Sequence, residues 1–385
     1  MTDTAIQSKA LLQPVPSRES VSPVLHVMPT AMWEATVAGF DGICQEQTYT
    51  FGRLRWPSLH HESIVFKTGG EAVGAALMRV QKLPLGLGSI AISKWGPMLK
   101  HSTRPDRNRI YRGMIAALVE EYADRRGVML SVLPRAATAV ENEELAILKD
   151  MGFQEGSNVP FPNRYLVNLQ ISETEQRASF EQKWRYHLKR SESAGLTFEH
   201  APEAAIGDFT RLYEAMSSRK KFPDYSAFQT LPSLMEMPER ALRPELFFVR
   251  KGEELVAGAV IFKAGDTATY LYGATNEQAL PLRAGYFLHW HIIRWLKQNT
   301  SARWYDLGGS DGFHGLHQFK KGMVGDAGAI SPLPPMMNYA SSRRALAIGK
   351  IAFAARDFVL DGRHRIRLAL SGLARPDQVR ETGDS

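Results

Sequence analysis

The stretch 304-WYDLGGSDGFHGLHQFKKGMVGD-326 concentrates residue types that can do chemistry. A strand-like apolar run ends in a carboxylate, Asp306, against the paired glycines Gly308 and Gly309. The pair Phe319-Lys320 follows, before a further glycine. Such a segment can cradle phosphate, line a substrate or be a plain surface loop. Asp306 can take up a proton, or it can cap its own turn through the N–H groups of Gly308 and Gly309. Lys320 and Lys321 can likewise be solvated surface charges. Arg53, Arg55 and the run Arg219-Lys220-Lys221 are candidate anion binders, because a guanidinium contacts phosphate bidentately; the alternative is ordinary helix-surface charge. Tyr213, Tyr270 and Tyr272 can line a cleft or fill a core. Lys183, Arg185, Lys189 and Arg190 fall within eight residues, with Arg185 and Lys189 four apart on one helix face. That basic stripe can follow an RNA backbone or simply face water.

Metal chemistry has no comparable support. His289 and His291 stand two apart on a predicted helix and so point to different faces, and His60-His61 has no supporting ligands. No HExxH, Walker or GxSxG motif occurs. Cys44 is the one cysteine, which excludes a disulfide framework within the chain and predicts a cytosolic location. Residues 1–30 lack the order of a signal peptide, and the apolar run 345–360 is broken by Lys350, Arg356 and Asp357.

The elements that must position these residues are legible from periodicity. The chain has 385 residues, 44% hydrophobic and 23% charged, which suits two domains with real cores. Residues 1–25 read as a mobile tail. Segments 63–80 and 246–264 both read as hairpins, the first turning at Thr68-Gly69-Gly70. A shift of 184 residues carries Val65 onto Val249, Lys67 onto Lys251 and Gly74 onto Gly258. After the first hairpin a strand is expected at 88–94, a helix at 106–126 and a strand at 128–133. After the second come a strand at 268–275, a helix at 284–299 and a strand at 302–307. This repetition predicts an internal duplication. A helix at 139–150 follows a capping-box pattern at Thr138–Glu141, and a strand at 164–170 closes the first half. Residues 174–196 read as one long helix, 206–220 as another, and 341–360 as a third. The resulting class is α/β or α+β, two halves each with a mixed sheet flanked by helices. The domain expectation is a tail over 1–25, a first half over 26–170, a second over 171–335 and a basic helical extension over 336–385.

The net charge of +7 and the isoelectric point near 9.4 fit an anionic partner without naming one. Residues 341–385 hold nine Lys/Arg against five Asp/Glu. The stretch 341–367 can therefore lie against an anionic membrane surface.

Several segments in this order resemble the FemABX family of peptidoglycan aminoacyltransferases and the related FemAB-like acyltransferases, which carry two acetyltransferase-like (GNAT) subdomains. They are 47-QTYTFGRLR-55, 95-WGPML-99, 185-RYHLKRSESAGL-196, 212-LYEAMSSRKKF-222, 270-YLYGAT-275, 305-YDLGG-309 and 315-GLHQFKKGMVGD-326. The resemblance spans about 30–335. It implies that Asp306, Gly308, Gly309, Phe319 and Lys320 line an acyl-transfer site, with the second half carrying the chemistry. Lys320 would supply a cation for the oxyanion or a donor phosphate, Phe319 would wall the pocket, and Asp306 could accept the amine proton. Arg55 and Arg219 match the family's basic contacts to the diphosphate of a nucleotide- or lipid-linked muropeptide. Arg185, Lys189 and Arg190 become the candidates for tRNA.

Departures from the family pattern keep alternatives open. The acyl-CoA loop equivalent, 283-RAGYFLHW-290, has a single glycine, which disfavours coenzyme A as donor. The helical hairpin inserted in many members has no room here. Met98-Leu99-Lys100 stands where some members place a carboxylate after Gly-Pro. The expected activity is aminoacyl transfer from aminoacyl-tRNA to an amine of an anionic acceptor, with no bound cofactor, in the cytoplasm or at the inner face of the membrane. The rivals are an acyl-CoA-dependent N-acyltransferase of polysaccharide or secondary-metabolite synthesis and a non-catalytic tRNA- or envelope-binding module.

Overall fold

The structure is a computed structural model that describes residues 22–139, 141–157, 163–220, 227–310 and 314–373. Residues 1–21, most of the expected tail, lie outside the described residues, as do Lys221 and 374–385. Residues 24–25, also assigned to the tail, instead open a strand.

The strands of the first half are β1 (Val24–Met28), β2 (His60–Thr68), β3 (Glu71–Lys82), β4 (Ser89–Lys94), β5 (Met98–Leu99), β6 (Met129–Leu133) and β7 (Gln154–Glu155). Its helices are α1 (Trp33–Val37), α2 (Tyr49–Arg55), α3 (Arg107–Leu118) and α4 (Glu143–Asp150). The second half contains β8 (Asn163–Asn168), β9 (Leu196–Ala201), β10 (Glu245–Lys251), β11 (Glu254–Phe262), β12 (Thr267–Thr275), β13 (Trp304–Asp306) and β14 (Ala329–Pro332). Its helices are α5 (Glu173–Ser179), α6 (Gln182–Glu192), α7 (Ile206–Lys220), α8 (Leu231–Met235), α9 (Ala284–Asn299) and α10 (His314–Val324). The chain then adds β15 (Met337–Tyr339) and α11 (Arg343–Leu373).

The duplication holds at the level of hydrogen bonding. Both hairpins turn through two residues, Gly69-Gly70 and Gly252-Glu253, and both bulge three residues later, at Val73 and Val256. The structural register is therefore one residue off the shift that aligned Gly74 with Gly258. β4 pairs parallel to β6 across α3, and β12 pairs parallel to β13 across α9. Crossovers of this kind need a helix, because parallel strands cannot be joined by a tight turn.

The two halves exchange strands. The first sheet runs β1-β2-β3-β4-β6-β15-β7 and the second β14-β8-β13-β12-β11-β10-β9. β8 follows β7 in sequence but inserts between β13 and β14, and β15 follows β14 but inserts between β6 and β7. The strand expected to close the first half thus belongs to the second sheet. The final segment begins as a strand of the first sheet and is not helical throughout. A shared apolar cluster joins the halves, with Trp33, Phe51, Leu77 and Met98 packing beside Met237, Leu242 and Phe262.

Two further expectations are corrected. The helix predicted over 174–196 is two helices, because Phe180 is extended (ψ 147°) and buried against Trp184 and Trp290. The breakpoint docks onto the end of α10, where Asp326 N–H donates to the Ser179 carbonyl and Glu181 N–H to that of Gly322. α5 has its own capping box, Ser172 with Glu175. The N-cap of α4 is Asn142, whose side chain accepts from Leu145 N–H, rather than Thr138.

Candidate functional site

A cleft of about 640 Å³ opens between the halves. The first half contributes Glu46, Arg55 and Trp56 around α2, Lys94 and Trp95 at the end of β4, Tyr111 from α3, and residues 135–139 and 141–144 after β6. The second half contributes Arg164 from β8, Asp266 before β12, Thr267 and residues 269–272 of β12, Trp304 and Asp306 of β13, and Gly308 after it.

The first wall is held by Gln47, which is fully buried. Its amide donates to the Lys94 carbonyl (2.5 Å) and accepts from Leu77 N–H (2.8 Å). A Cβ on Gly96 would lie 3.0 Å from that amide and crowd it, so glycine leaves the amide its place. Trp95 adopts a left-handed backbone (φ +58°), which costs a bulky residue about 1–2 kcal/mol, and it projects into the cleft. Glu46 binds Lys94 (2.7 Å) and Arg79 (3.4 Å), and these cations outweigh its burial to hold its carboxyl below the usual range. Arg79, Lys94 and Arg55 surround the Trp56 ring at 4.1, 5.3 and 6.0 Å. Arg55 has no ion-pair partner among the described residues, so its guanidinium remains available to an anion.

The second wall is the strand end around Asp306. Gly308 N–H donates to one Asp306 oxygen (2.8 Å), and Arg164 binds the other through Nε (2.9 Å) and Nη2. Asp306 thus caps its turn through Gly308 N–H while also lining the cleft. Gly308 has φ +72°, which a side chain would strain. Lys320, on α10, is only 5% exposed and is no surface charge. Its ammonium donates to the carbonyls of Leu307 (2.6 Å) and Gly309 beneath the same turn. It lies behind the cleft wall instead of among the described residues that line the cleft. Phe319 packs with Tyr286 (4.9 Å), His289 (5.6 Å) and Trp184 (6.2 Å) in the same supporting layer.

Residues 178–321 match the acetyltransferase (GNAT) domain family. Among solved structures, the chain is similar to FemX, with a TM-score of 0.65, 15% identity, and coverage of 82% of this chain and 97% of that one. A conserved protein of unknown function from Bacteroides thetaiotaomicron VPI-5482 aligns with a TM-score of 0.55 and 10% identity, over 82% of this chain and 98% of the other. L-PGS from Bacillus licheniformis aligns with a TM-score of 0.51 and 16% identity, over 87% and 99%. No curated protein matches the chain. Residues 178–321 thus carry a GNAT domain, and the chain as a whole has the fold of FemX.

The sequence-derived site residues divide accordingly. Arg55, Tyr270, Tyr272, Asp306 and Gly308 line the cleft, while Lys320, Phe319 and the Gly309 carbonyl form the layer behind it. Arg219 is elsewhere: on α7 it donates to the Thr275 carbonyl (3.0 Å), with Glu277 at 3.8 Å. Tyr213 is not itself a lining residue; it stacks on Phe228 at 3.9 Å and meets the lining Tyr272 edge-on at 6.3 Å. Arg185 is a structural cap in place of a free RNA contact. Its Nη1 donates to the Ala178 and Phe180 carbonyls that the break between α5 and α6 leaves open. Lys189 and Arg190 of the same helix are exposed, with Arg190 over Tyr186.

Around the cleft stand further residues that sequence reasoning missed. Arg135 crosses between the halves to Asp266 (2.6 Å) and Thr267 (3.1 Å). Burial would raise the Asp266 carboxyl, but Arg135 and its hydrogen bonds lower it. The pair is 131 residues apart, and no local pattern announces it. His289 is buried beside Tyr270 and hydrogen-bonded to Tyr305 (3.0 Å); burial, then the Lys320 charge, depress its pKa to about 3. Near the start of α9, Trp184 Nε1, His187 Nδ1 and Arg283 Nε are buried without partners in the structure. The Arg283, Lys183 and Arg190 charges all act on His187, adding to a burial that already lowers its pKa. Among the described residues no group of side chains could hold a metal ion. No helix among them is long and apolar enough to cross a membrane.

Proposed function

We propose that the protein transfers an aminoacyl group from aminoacyl-tRNA to an amine of an anionic acceptor bound in the cleft, with a nucleotide- or lipid-linked peptidoglycan precursor as the favoured acceptor. The observation that carries this reading is the cleft itself, which joins a cationic wall with an unpaired Arg55 to the strand end at Asp306–Gly308. Aminolysis of an acyl donor needs a neutral amine, a stabilised oxyanion and aligned reactants. A cleft between two rigidly packed halves supplies the alignment. The cationic groups near the start of α9, with exposed Lys189 and Arg190 on α6, suit the donor's phosphates. Coenzyme A also carries phosphates there, so an acyl-CoA donor is the second reading.

A location at the inner membrane face agrees with α11, where Ile351 and Phe358 are 69% and 81% exposed among Arg343, Arg344, Lys350 and Arg356. The deciding experiment supplies labelled aminoacyl-tRNA and labelled acetyl-CoA in parallel against muropeptide precursors and small amines. Label transferred from tRNA supports the reading, and label transferred only from the coenzyme establishes the rival. Tight tRNA binding with no transfer from either donor identifies a non-catalytic module. Arg55→Ala is expected to raise the acceptor KM about tenfold or more, the worth of a charge-assisted contact.

A further inference from the structure

One recess of the cleft has hydrogen-bonding capacity that the protein leaves unmet. Tyr111 of α3 lines the cleft, is 1% exposed, and its hydroxyl has no hydrogen-bond partner among the described residues. The duplication shows how unusual this is. Ile110, Tyr111, Met114, Ile115 and Leu118 of α3 repeat the buried face formed by Leu288, His289, Ile292, Ile293 and Leu296 of α9. His289 has a partner in Tyr305, whereas Tyr111 at the matching position has none. An orphaned buried hydroxyl opposes folding, which gives it the character of a group awaiting a ligand.

Glu144 of α4 lines the same recess, and its charge acts on the Tyr111 hydroxyl. One of its oxygens accepts Arg135 N–H (3.0 Å); the other has no hydrogen bond among the described residues. The surrounding charges are already engaged. Arg135 is held by Asp266 and Thr267, and Arg107 by Glu143 (2.5 Å). Burial raises the Glu144 pKa, as Asp266 also does, against the pull of Arg135 and Arg107. Among the described residues this part of the cleft therefore presents one carboxylate oxygen and one neutral hydroxyl, with the nearby Arg135 and Arg107 already engaged. That pair suits a compact, cationic, multiply donating group and rejects an anion.

We propose that Tyr111 and Glu144 form the subsite that receives the primary ammonium group of the acceptor. This deepens the acceptor reading given above and rests on it. The Arg55 wall holds the anionic part of the acceptor and the Tyr111–Glu144 recess its amine, so the two ends of one molecule are sorted by charge. Ammonium binding favours ionised Glu144, so affinity rises as pH climbs through the Glu144 pKa.

The test uses the full chain labelled with 13C at the glutamate carboxyl carbon, with E144Q assigning the resonance. The amide oxygen of E144Q can still accept Arg135 N–H, so the loop is retained. Methylammonium is the probe, with tetramethylammonium and methanol as a cation that cannot donate and a donor without charge. Methylammonium alone is expected to lower the Glu144 titration midpoint. Y111F is expected to weaken that response about fivefold to tenfold, the worth of one hydrogen bond. Y111F removes a hydroxyl that bonds nothing, so its Tm should equal or exceed that of the parent. A midpoint that methylammonium leaves unmoved, or that tetramethylammonium moves equally, overturns the proposal. The readout needs no turnover: acyl transfer without a Glu144 response rejects only the subsite, and a response without transfer from any donor rejects the acyltransfer reading.

Discussion

Replacing Lys320 separates a chemical role from a supporting one. In Lys320→Met the stem is kept and the ammonium is lost, so the carbonyls of Leu307 and Gly309 lose a donor in a buried place. Each carbonyl left unsatisfied costs about 1–3 kcal/mol. Relief of a desolvated charge returns part of this, which leaves a net loss of about 3 kcal/mol. If the second half melts as a unit, the Tm falls by about 6–12 °C at about 2–4 °C per kcal/mol. The same substitution removes the second cause of the low His289 pKa, so that pKa should rise from about 3. Thermal unfolding followed by calorimetry and the His289 titration followed by NMR measure both effects. Transfer activity is expected to fall with them, because the turn that presents Asp306 and Gly308 to the cleft loosens. Activity lost while the Tm stays within about 1 °C of the parent would refute the supporting role, and would return Lys320 to the reaction itself.

Two further outcomes follow from buried geometry. His289 is held neutral in the fold, whereas the unfolded chain protonates it near pH 6.5, so stability falls as pH drops below that value. At about pH 5 the penalty is about 2 kcal/mol, and His289→Gln should shrink the difference in urea stability between about pH 8 and about pH 5 by that amount. Gly325 has φ +58°, and a Cβ there would lie 2.0 Å from the Ser179 carbonyl oxygen. Gly325→Ala is accordingly expected to lose more than about 2 kcal/mol in chemical denaturation, through the forced separation of α10 from the break between α5 and α6.

What could be read in advance was what local rules decide. The glycine turn at 69–70 and the apolar spacing of α3 and α9 located the hairpins and crossover helices of both halves, because turn chemistry and periodicity act over a few residues. The register slipped by one because the alignment followed three identities at a shift of 184, whereas the turns and bulges correspond at 183. The exchanged strands were invisible as such: β8 and β15 find their places only through partners in the other half. Arg185 shows the limit most clearly. Its spacing on α6 marked a basic stripe, yet Phe180 breaks the helix to bury its ring, and the freed carbonyls then claim the guanidinium. Arg219 was drawn by type and order to an anion site, but the end of β12 takes its donors. The motif around Asp306 lies at the cleft, whereas Lys320, expected as a cation lining the transfer site, sits buried behind the cleft wall. Composition could not say that its charge would face inward. Tyr111 carried no signal at all, since a tyrosine on an apolar helix face reads as core. Only the full set of its neighbours reveals that its hydroxyl has been left without a partner beside a half-used carboxylate, and it is that unmet demand, more than any motif, that points to what the cleft receives.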